Sequence, residues 1–483
     1  MNCPRVLAAL LSALCLLSLP AAARERDDDD RFDRDDRKAD PALVAARQKF
    51  FGVENVDEKG RVAKDKVIFS WATNTSYVTS VLGRVILLDS YVSRPELATT
   101  PIDRRYTPFL PKDLVDARPE AIFLGHGHGD HADNAAYIAK WTGATIYASE
   151  ETCNVMQLDV QRMWNDPNAV NNGAKIIPDG APVNCVHVVP RDTRPGQYDE
   201  ATDRSRATRL RQLDPQVCIL AFKFIHSGTA PADASFTHTT LADLADPRYA
   251  GRVITTPTPA ITYPAMFPTF TSLVPPTDPA LRVPGQMDLR TTGFGTVTGN
   301  AGGPITILYQ FVLRGDNHFS FAWLNSAGPA TEGIGSDPGL VTLAQYNDPA
   351  QFGQQIALAR KIGSSLYALM DTLPATDVLL GSIVSLGQLN NQQRDIIKVT
   401  QHLRPKVYYP GHLTDVAQKG SGLYHKIAWR ETALAMGFAE SEWPEFRLLI
   451  DPNDFMVPQV FNVNDERWEK SREAEERVRS QCR

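Results

Sequence analysis

After its first two dozen residues the chain has no uninterrupted apolar run of the length a membrane helix needs. Cysteine is scarce, with six in 483 residues, too few for a disulfide scaffold. Positive charge is not in excess: 50 Lys and Arg against 56 Asp and Glu leave a net charge of −6, which argues against a protein built to grip nucleic acid. No Gly-rich phosphate loop follows a strand pattern and no Gly-x-Ser-x-Gly elbow occurs, so P-loop nucleotide chemistry and serine hydrolysis lack support. No solenoid-type repeat is visible. What is present, 43% hydrophobic and 22% charged residues, suffices for a substantial core. At about 150 residues per domain the length allows two or three domains or one elaborated α/β domain.

The first 23 residues are predicted to be an address. Arg5 gives a short positive start, Val6 to Leu19 is apolar, and Pro20-Ala21-Ala22-Ala23 offers small residues for cleavage. That is the pattern of a secretory signal peptide, so the mature protein is expected to be secreted or periplasmic, with no integral membrane segment. Residues 24–40 are almost all charged and read as a disordered linker. Four cysteines then remain, Cys153, Cys185, Cys218 and Cys482, which allow three disulfide pairings or stay as buried thiols.

From Pro41 the pattern turns globular. A helix is expected near Leu43–Phe51, a strand at Val67–Trp71, and a hairpin of Tyr77–Leu82 with Val85–Leu88 closed by Asp89. Ala121–Leu124 reads as a strand, Ala132–Thr142 as a helix ended by Gly143, and Ala144–Ala148 as the next strand. Strands Cys185–Val189 and Val217–Ile225 follow, then a stretch at 247–304 with ten prolines and interspersed Tyr263, Phe267, Phe270 and Phe294. Such a stretch is a lid, a binding loop or a surface excursion packed on its own aromatics. Beyond it come a hairpin of Ile305–Arg314 with His318–Asn325, a helix near Pro349–Asp371, a strand at Asp377–Leu380, a helix near Gln392–Leu403 and a strand at Lys406–Tyr409. Residues 465–483 form a polar, helix-prone tail, expected to be solvated. Hairpins first and alternating strands and helices later predict a mixed α/β sandwich.

The chemistry is concentrated in Leu124-Gly125-His126-Gly127-His128-Gly129-Asp130-His131, which opens at a strand end and closes at a helix start. Along an extended chain His126 and His128 project to the same side. Gly127 and Gly129 let the backbone turn so that Asp130 and His131 face a second position nearby. Four such groups in one loop would be costly to bury without a cation. Imidazole with carboxylate suits zinc, and also manganese or iron.

This loop resembles the His-x-His-x-Asp-His signature of the metallo-β-lactamase superfamily, and the resemblance runs in order from about Val67 to Leu413. It implies a four-layer αββα sandwich at 41–464, with an insertion at about 228–304. The strand pattern around Trp71 and Asp89 is similar to the lactonase-like branch, the sugar-phosphate lactonases and phospholipase D-type relatives. The resemblance implies a third histidine at His226, after the strand Cys218–Ile225, and a last ligand at His412, in Tyr408-Tyr409-Pro410-Gly411-His412. His126, His128 and His226 would then hold one metal, and Asp130, His131 and His412 the other. Asp89 would steady the ligand loop. One departure stands out. Where the family supplies a bridging aspartate, the strand here runs into Asn325-Ser326.

The implied function is an exported metal-dependent hydrolase. One or two zinc ions, with manganese or iron as substitutes, would generate a hydroxide that cleaves an ester, lactone, amide or phosphodiester bond of a small molecule. Asp130 would orient the nucleophile and deliver a proton to the leaving group. The other reading, favoured by the missing bridge, is a non-catalytic metal-binding or structural protein on the same fold.

Overall fold

The computed structural model describes residues 40–92, 109–127, 129–165, 167, 170–171, 174–188, 208–225, 305–314, 319–326, 370–382, 392–412, 422–449, 454 and 456–482. The expected signal peptide (1–23), all but the last residue of the charged arm (24–40), the insertion (228–304), nearly all of the helix near 349–371, and His128 and His226 lie outside them.

Among the described residues sixteen strands are numbered in chain order. The first eight are β1 (Lys66–Thr73), β2 (Ser76–Val81), β3 (Arg84–Leu88), β4 (Ala121–Phe123), β5 (Thr145–Ala148), β6 (Val170–Asn171), β7 (Ala174–Lys175) and β8 (Cys185–His187). The rest are β9 (Thr208–Leu210), β10 (Val217–Ile225), β11 (Ile305–Leu313), β12 (Ser320–Leu324), β13 (Val378–Ser382), β14 (Val407–Gly411), β15 (Glu445–Phe446) and β16 (Pro458–Asn462). The helices are α1 (Pro41–Phe51), α2 (Pro111–Asp116), α3 (Gly129–Ala132), α4 (Ala135–Thr142), α5 (Glu150–Asn165), α6 (Gln392–Leu403), α7 (Gly422–Ala435) and α8 (Arg472–Gln481). None of the described helices is long and apolar enough to cross a membrane.

Two seven-stranded mixed sheets carry the fold, in the orders β16-β1-β2-β3-β4-β5-β8 and β15-β14-β13-β12-β11-β10-β9. Alternation along each strand decides the layers. In the first sheet Val67, Phe69, Trp71, Tyr77, Ile86, Leu88 and Phe123 share a core with Tyr309, Phe311, Phe321 and Trp323 of the second. Phe69 meets Phe321 edge-on with centroids 5.0 Å apart, and Phe123 meets Phe311 at 5.2 Å. The alternate residues Ile68, Val78, Val85, Leu87 and Ile122 face outward against Phe50, Leu114, Ile138 and Met156 of α1, α2, α4 and α5. On the far side of the second sheet, α6 packs on β13 and α7 on α6. Helix, sheet, sheet and helix make the αββα sandwich implied by the sequence.

Four features depart from expectation. The single helix expected over Ala132–Thr142 breaks at Asn134, whose backbone is left-handed (φ 72°). There its side-chain amide donates to the Ser90 carbonyl at 3.2 Å, a bond a continuous helix would not offer. Gly143 does end the helix as expected, in the left-handed conformation that glycine adopts without steric cost. Helix α5, absent from the sequence reading, presents Cys153, Val155, Met156, Val160 and Met163 to the core, and Cys153 is bonded to Cys185 of the edge strand β8. The tail is helical at α8 and largely solvent-exposed, with Arg472, Glu473, Glu476 and Arg479 in solvent, but it is anchored by a few buried side chains. Trp468, Val478 and Cys482 are buried, and Cys482 is bonded to Cys218 in β10. The charged arm's last residue also belongs to the fold, because the Asp40 carboxylate caps α1 by accepting from Ala42 N at 3.0 Å.

Candidate metal centre

The polar cluster lies where parallel strands of both sheets end. Asp89 follows β3, Gly125 and His126 follow β4, Asn325 follows β12 and His412 follows β14. The pairs β3–β4, β12–β13 and β13–β14 are parallel, so their carboxyl ends open on one edge, the usual place for ligands in α/β sheets. Hydrogen bonds to backbone carbonyls tie the two sheets together here: Ile307 N donates to Gly125 O at 2.8 Å, His412 N to Asn74 O at 3.1 Å, and the Trp323 indole to Thr75 O at 3.0 Å. Asn74, Asp89 and His412 all hold positive φ (55°, 55° and 63°), a conformation uncommon for side-chain-bearing residues and often found at functional sites.

Three imidazoles converge. The rings of His126 and His131 lie 4.3 Å apart, and Nε2 of His131 lies 3.1 Å from Nε2 of His412. Asp89 is the hub beneath them, fully buried. Its Oδ2 accepts from His131 Nδ1 at 2.8 Å and from the Thr75 hydroxyl at 3.1 Å. Its Oδ1 accepts from Gly125 N at 3.3 Å. The Asn325 amide donates to both oxygens, at 3.2 and 3.1 Å. Burial pushes the Asp89 carboxyl above the ordinary carboxylate range, while His131, Asn325 and Gly125 pull it back.

This donor set suits a cation. A neutral His131 that gives its Nδ1–H to Asp89 turns a lone pair on Nε2 toward Nε2 of His412, 3.1 Å away. A cation held between the rings would be bound by His131 and His412. A carboxylate holding the far nitrogen of an imidazole is the usual support for a histidine ligand. Among the described residues alone, no group of three His, Cys, Asp or Glu donors closes a ligand set. The further positions read from the sequence are His128, His226 and Asp130. The first two lie outside the described residues. Asp130 lies in α3, with its side chain outside them.

The structure brings His126, His131 and His412 together with Asp89 beneath them, and of the two candidates for the missing bridging carboxylate it is Asn325 whose side chain reaches His126 and Asp89. The Asn74–Thr75 turn was missed in the sequence. Between two ordinary strands it carries no motif, and its role arises from partners 14 to 248 residues away. Gly125 is also part of the machinery. A Cβ there would fall 2.1 Å from Asn325 Cγ, so the amide can approach only because the side chain is absent. Gly125→Ala is expected to destabilise the protein by about 1–3 kcal/mol through overpacking and to displace Asn325 from His126. Denaturant titration measures the first effect. An unchanged unfolding midpoint would mean that the amide has room to move.

An αββα sandwich with a histidine cluster at the strand ends of both sheets is the architecture implied by the metallo-β-lactamase resemblance. No family model matches the chain. A UPF0173 metal-dependent hydrolase of Methanosphaera stadtmanae is 32% identical over 117 residues, which are 24% of this chain and 42% of that protein. Another, from Pyrobaculum aerophilum, is 32% identical over 107 residues, 22% of this chain and 43% of that one. The chain thus spans less than half the length of these curated relatives. Among solved structures, Igni18, a metallo hydrolase from Ignicoccus hospitalis, aligns with a TM-score of 0.34 at 11% identity, covering 82% of this chain and 98% of its own. The homologous metal-dependent hydrolases and the layered fold support the superfamily resemblance.

Proposed function

We propose that the chain is an exported metal-dependent hydrolase acting on an ester, lactone, amide or phosphodiester bond of a small molecule. The observation that carries this reading is the convergence of His126, His131 and His412, drawn from both sheets, over a buried carboxylate that fixes one of the rings. In the proposed centre these three act with His128, Asp130 and His226. Zinc suits imidazole and carboxylate together, with manganese or iron as substitutes. A cation held there supplies an acidified water at neutral pH and Lewis-acid polarisation of the substrate oxygen.

The chain's own groups supply orientation and proton handling. Asp89 keeps the proton of His131 on Nδ1, and the Asp130 carboxylate is assigned to carry a proton to the leaving group. Export accords with the two disulfides, since such bonds persist in oxidising compartments. The test is metal analysis of the purified full-length protein with a hydrolysis screen over lactones, β-lactams, phosphodiesters and thioesters, using His412→Ala as control. Bound zinc or manganese and turnover that His412→Ala loses are expected. Firm metal binding without turnover would favour the non-catalytic reading, and absence of both would overturn the proposal.

A further inference from the structure

Asn325 is the least expected member of the centre, and its contacts are directional. Asp89 Oδ1 already accepts from Gly125 N–H, which can only donate. The group that Asn325 turns toward the two oxygens of Asp89 is therefore its NH2 end, at 3.2 and 3.1 Å. The reverse orientation would set an amide oxygen against carboxylate oxygens. With the NH2 end fixed, Oδ1 must face the other way. There it lies 3.2 Å from Nδ1 of His126 and accepts from the Thr306 hydroxyl at 3.2 Å. An amide oxygen cannot donate, so Nδ1 of His126 must carry the proton.

We propose that Asn325 is a positioning residue whose amide, anchored on Asp89, locks His126 in the Nδ1–H tautomer and so makes Nε2 its ligand nitrogen. Asp89 thereby sets two imidazoles at once, His131 by direct contact and His126 through the amide. A carboxylate at position 325 would still accept from His126, but it would face Asp89 with like charge and could not donate to it. The asparagine is what lets one buried carboxylate serve both rings. The inference deepens the metal-centre reading and rests on it for the meaning of Nε2, while the tautomer itself is a property of the metal-free protein.

The test is long-range 1H–15N correlation spectroscopy on metal-free, full-length protein labelled at histidine nitrogen, with the His126 ring assigned from the spectrum of His126→Gln. Zinc titration follows on the same samples. In the wild type His126 is expected as the Nδ1–H tautomer. In Asn325→Leu, which keeps the volume and loses the amide, it should move toward the Nε2–H tautomer, and zinc affinity should fall about 10–100-fold. Asn325→Asp keeps an acceptor for Nδ1–H and should restore the tautomer. An Nε2–H tautomer in the wild type overturns the proposal whether or not any variant folds. So does an Asn325→Leu spectrum in which His126 is unmoved. If zinc perturbs none of His126, His131 and His412 while the tautomer is as stated, the metal-centre reading fails and the positioning by Asn325 stands.

Discussion

His131→Ala is expected to remove most of the bound metal and to lower hydrolysis by roughly a thousandfold or more, the equivalent of several kcal/mol of lost transition-state stabilisation. His131 is the point where the centre is joined: its Nδ1 meets Asp89 at 2.8 Å and its Nε2 meets His412 at 3.1 Å. Removing it loses one proposed ligand and also leaves the Asp89 carboxylate without its ring partner. Asp89→Asn should act differently. The imidazoles remain, but the second amide presents both a donor and an acceptor to His131, so its tautomer is no longer dictated. About 10–100-fold in metal affinity is expected to go, with activity recovered at saturating metal. Metal content by elemental analysis and activity against added zinc separate the two variants. An Asp89→Asn protein as inert at saturating zinc as His131→Ala would show that the carboxylate does more than hold the ring.

The centre could be read from the sequence to the extent that its members are close in sequence or follow a strand pattern. His126 and His131 lie within one loop whose spacing marks them, and Asp89, closing a hairpin strand, was placed by the family resemblance. His412 needed the local Tyr-Tyr-Pro-Gly-His string. Asn325 stands in the sequence only as one of two candidates, with Ser326, for the place of the missing bridging carboxylate. Its bond to Asp89 spans 236 residues, and the direction of an amide is fixed by neighbours that no local pattern names. The same limit explains the rest. Strands β1 to β4 are short, largely apolar runs buried on both faces and bounded by turns, and the sequence locates them nearly to the residue. Helix α5 carries polar residues among Cys153, Val155, Met156 and Val160, and its apolar side became recognisable only against the first sheet. The cysteine pairing stayed open because two of the four cysteines, Cys218 and Cys482, lie 264 residues apart.

That long pairing leads to the second large effect. The C-terminal segment is strapped across one end of the second sheet. Trp468 packs on Phe319 and Phe461 with centroids 5.1 and 5.9 Å apart, Arg477 donates to Asp371 O at 2.9 Å, and Lys470 is paired with Asp377. Both members of that pair are buried, with side chains 4% and 1% exposed. Burial pulls the Lys470 ammonium below its ordinary range while Asp377 holds it up. Cys482→Ser opens a loop of 264 residues, which in the chain-entropy account costs roughly 5 kcal/mol of stability. Asp377→Ala should cost about 3–5 kcal/mol by leaving Lys470 buried without its partner. The two changes act on one strap, so their costs should not add: once Cys482 is free, the segment can lift and hydrate Lys470, and the double variant should lose less than the sum. Urea unfolding of the wild type, the two single variants and the double variant measures this coupling. Strict additivity would show that the disulfide and the ion pair hold independent pieces of the chain rather than one strap.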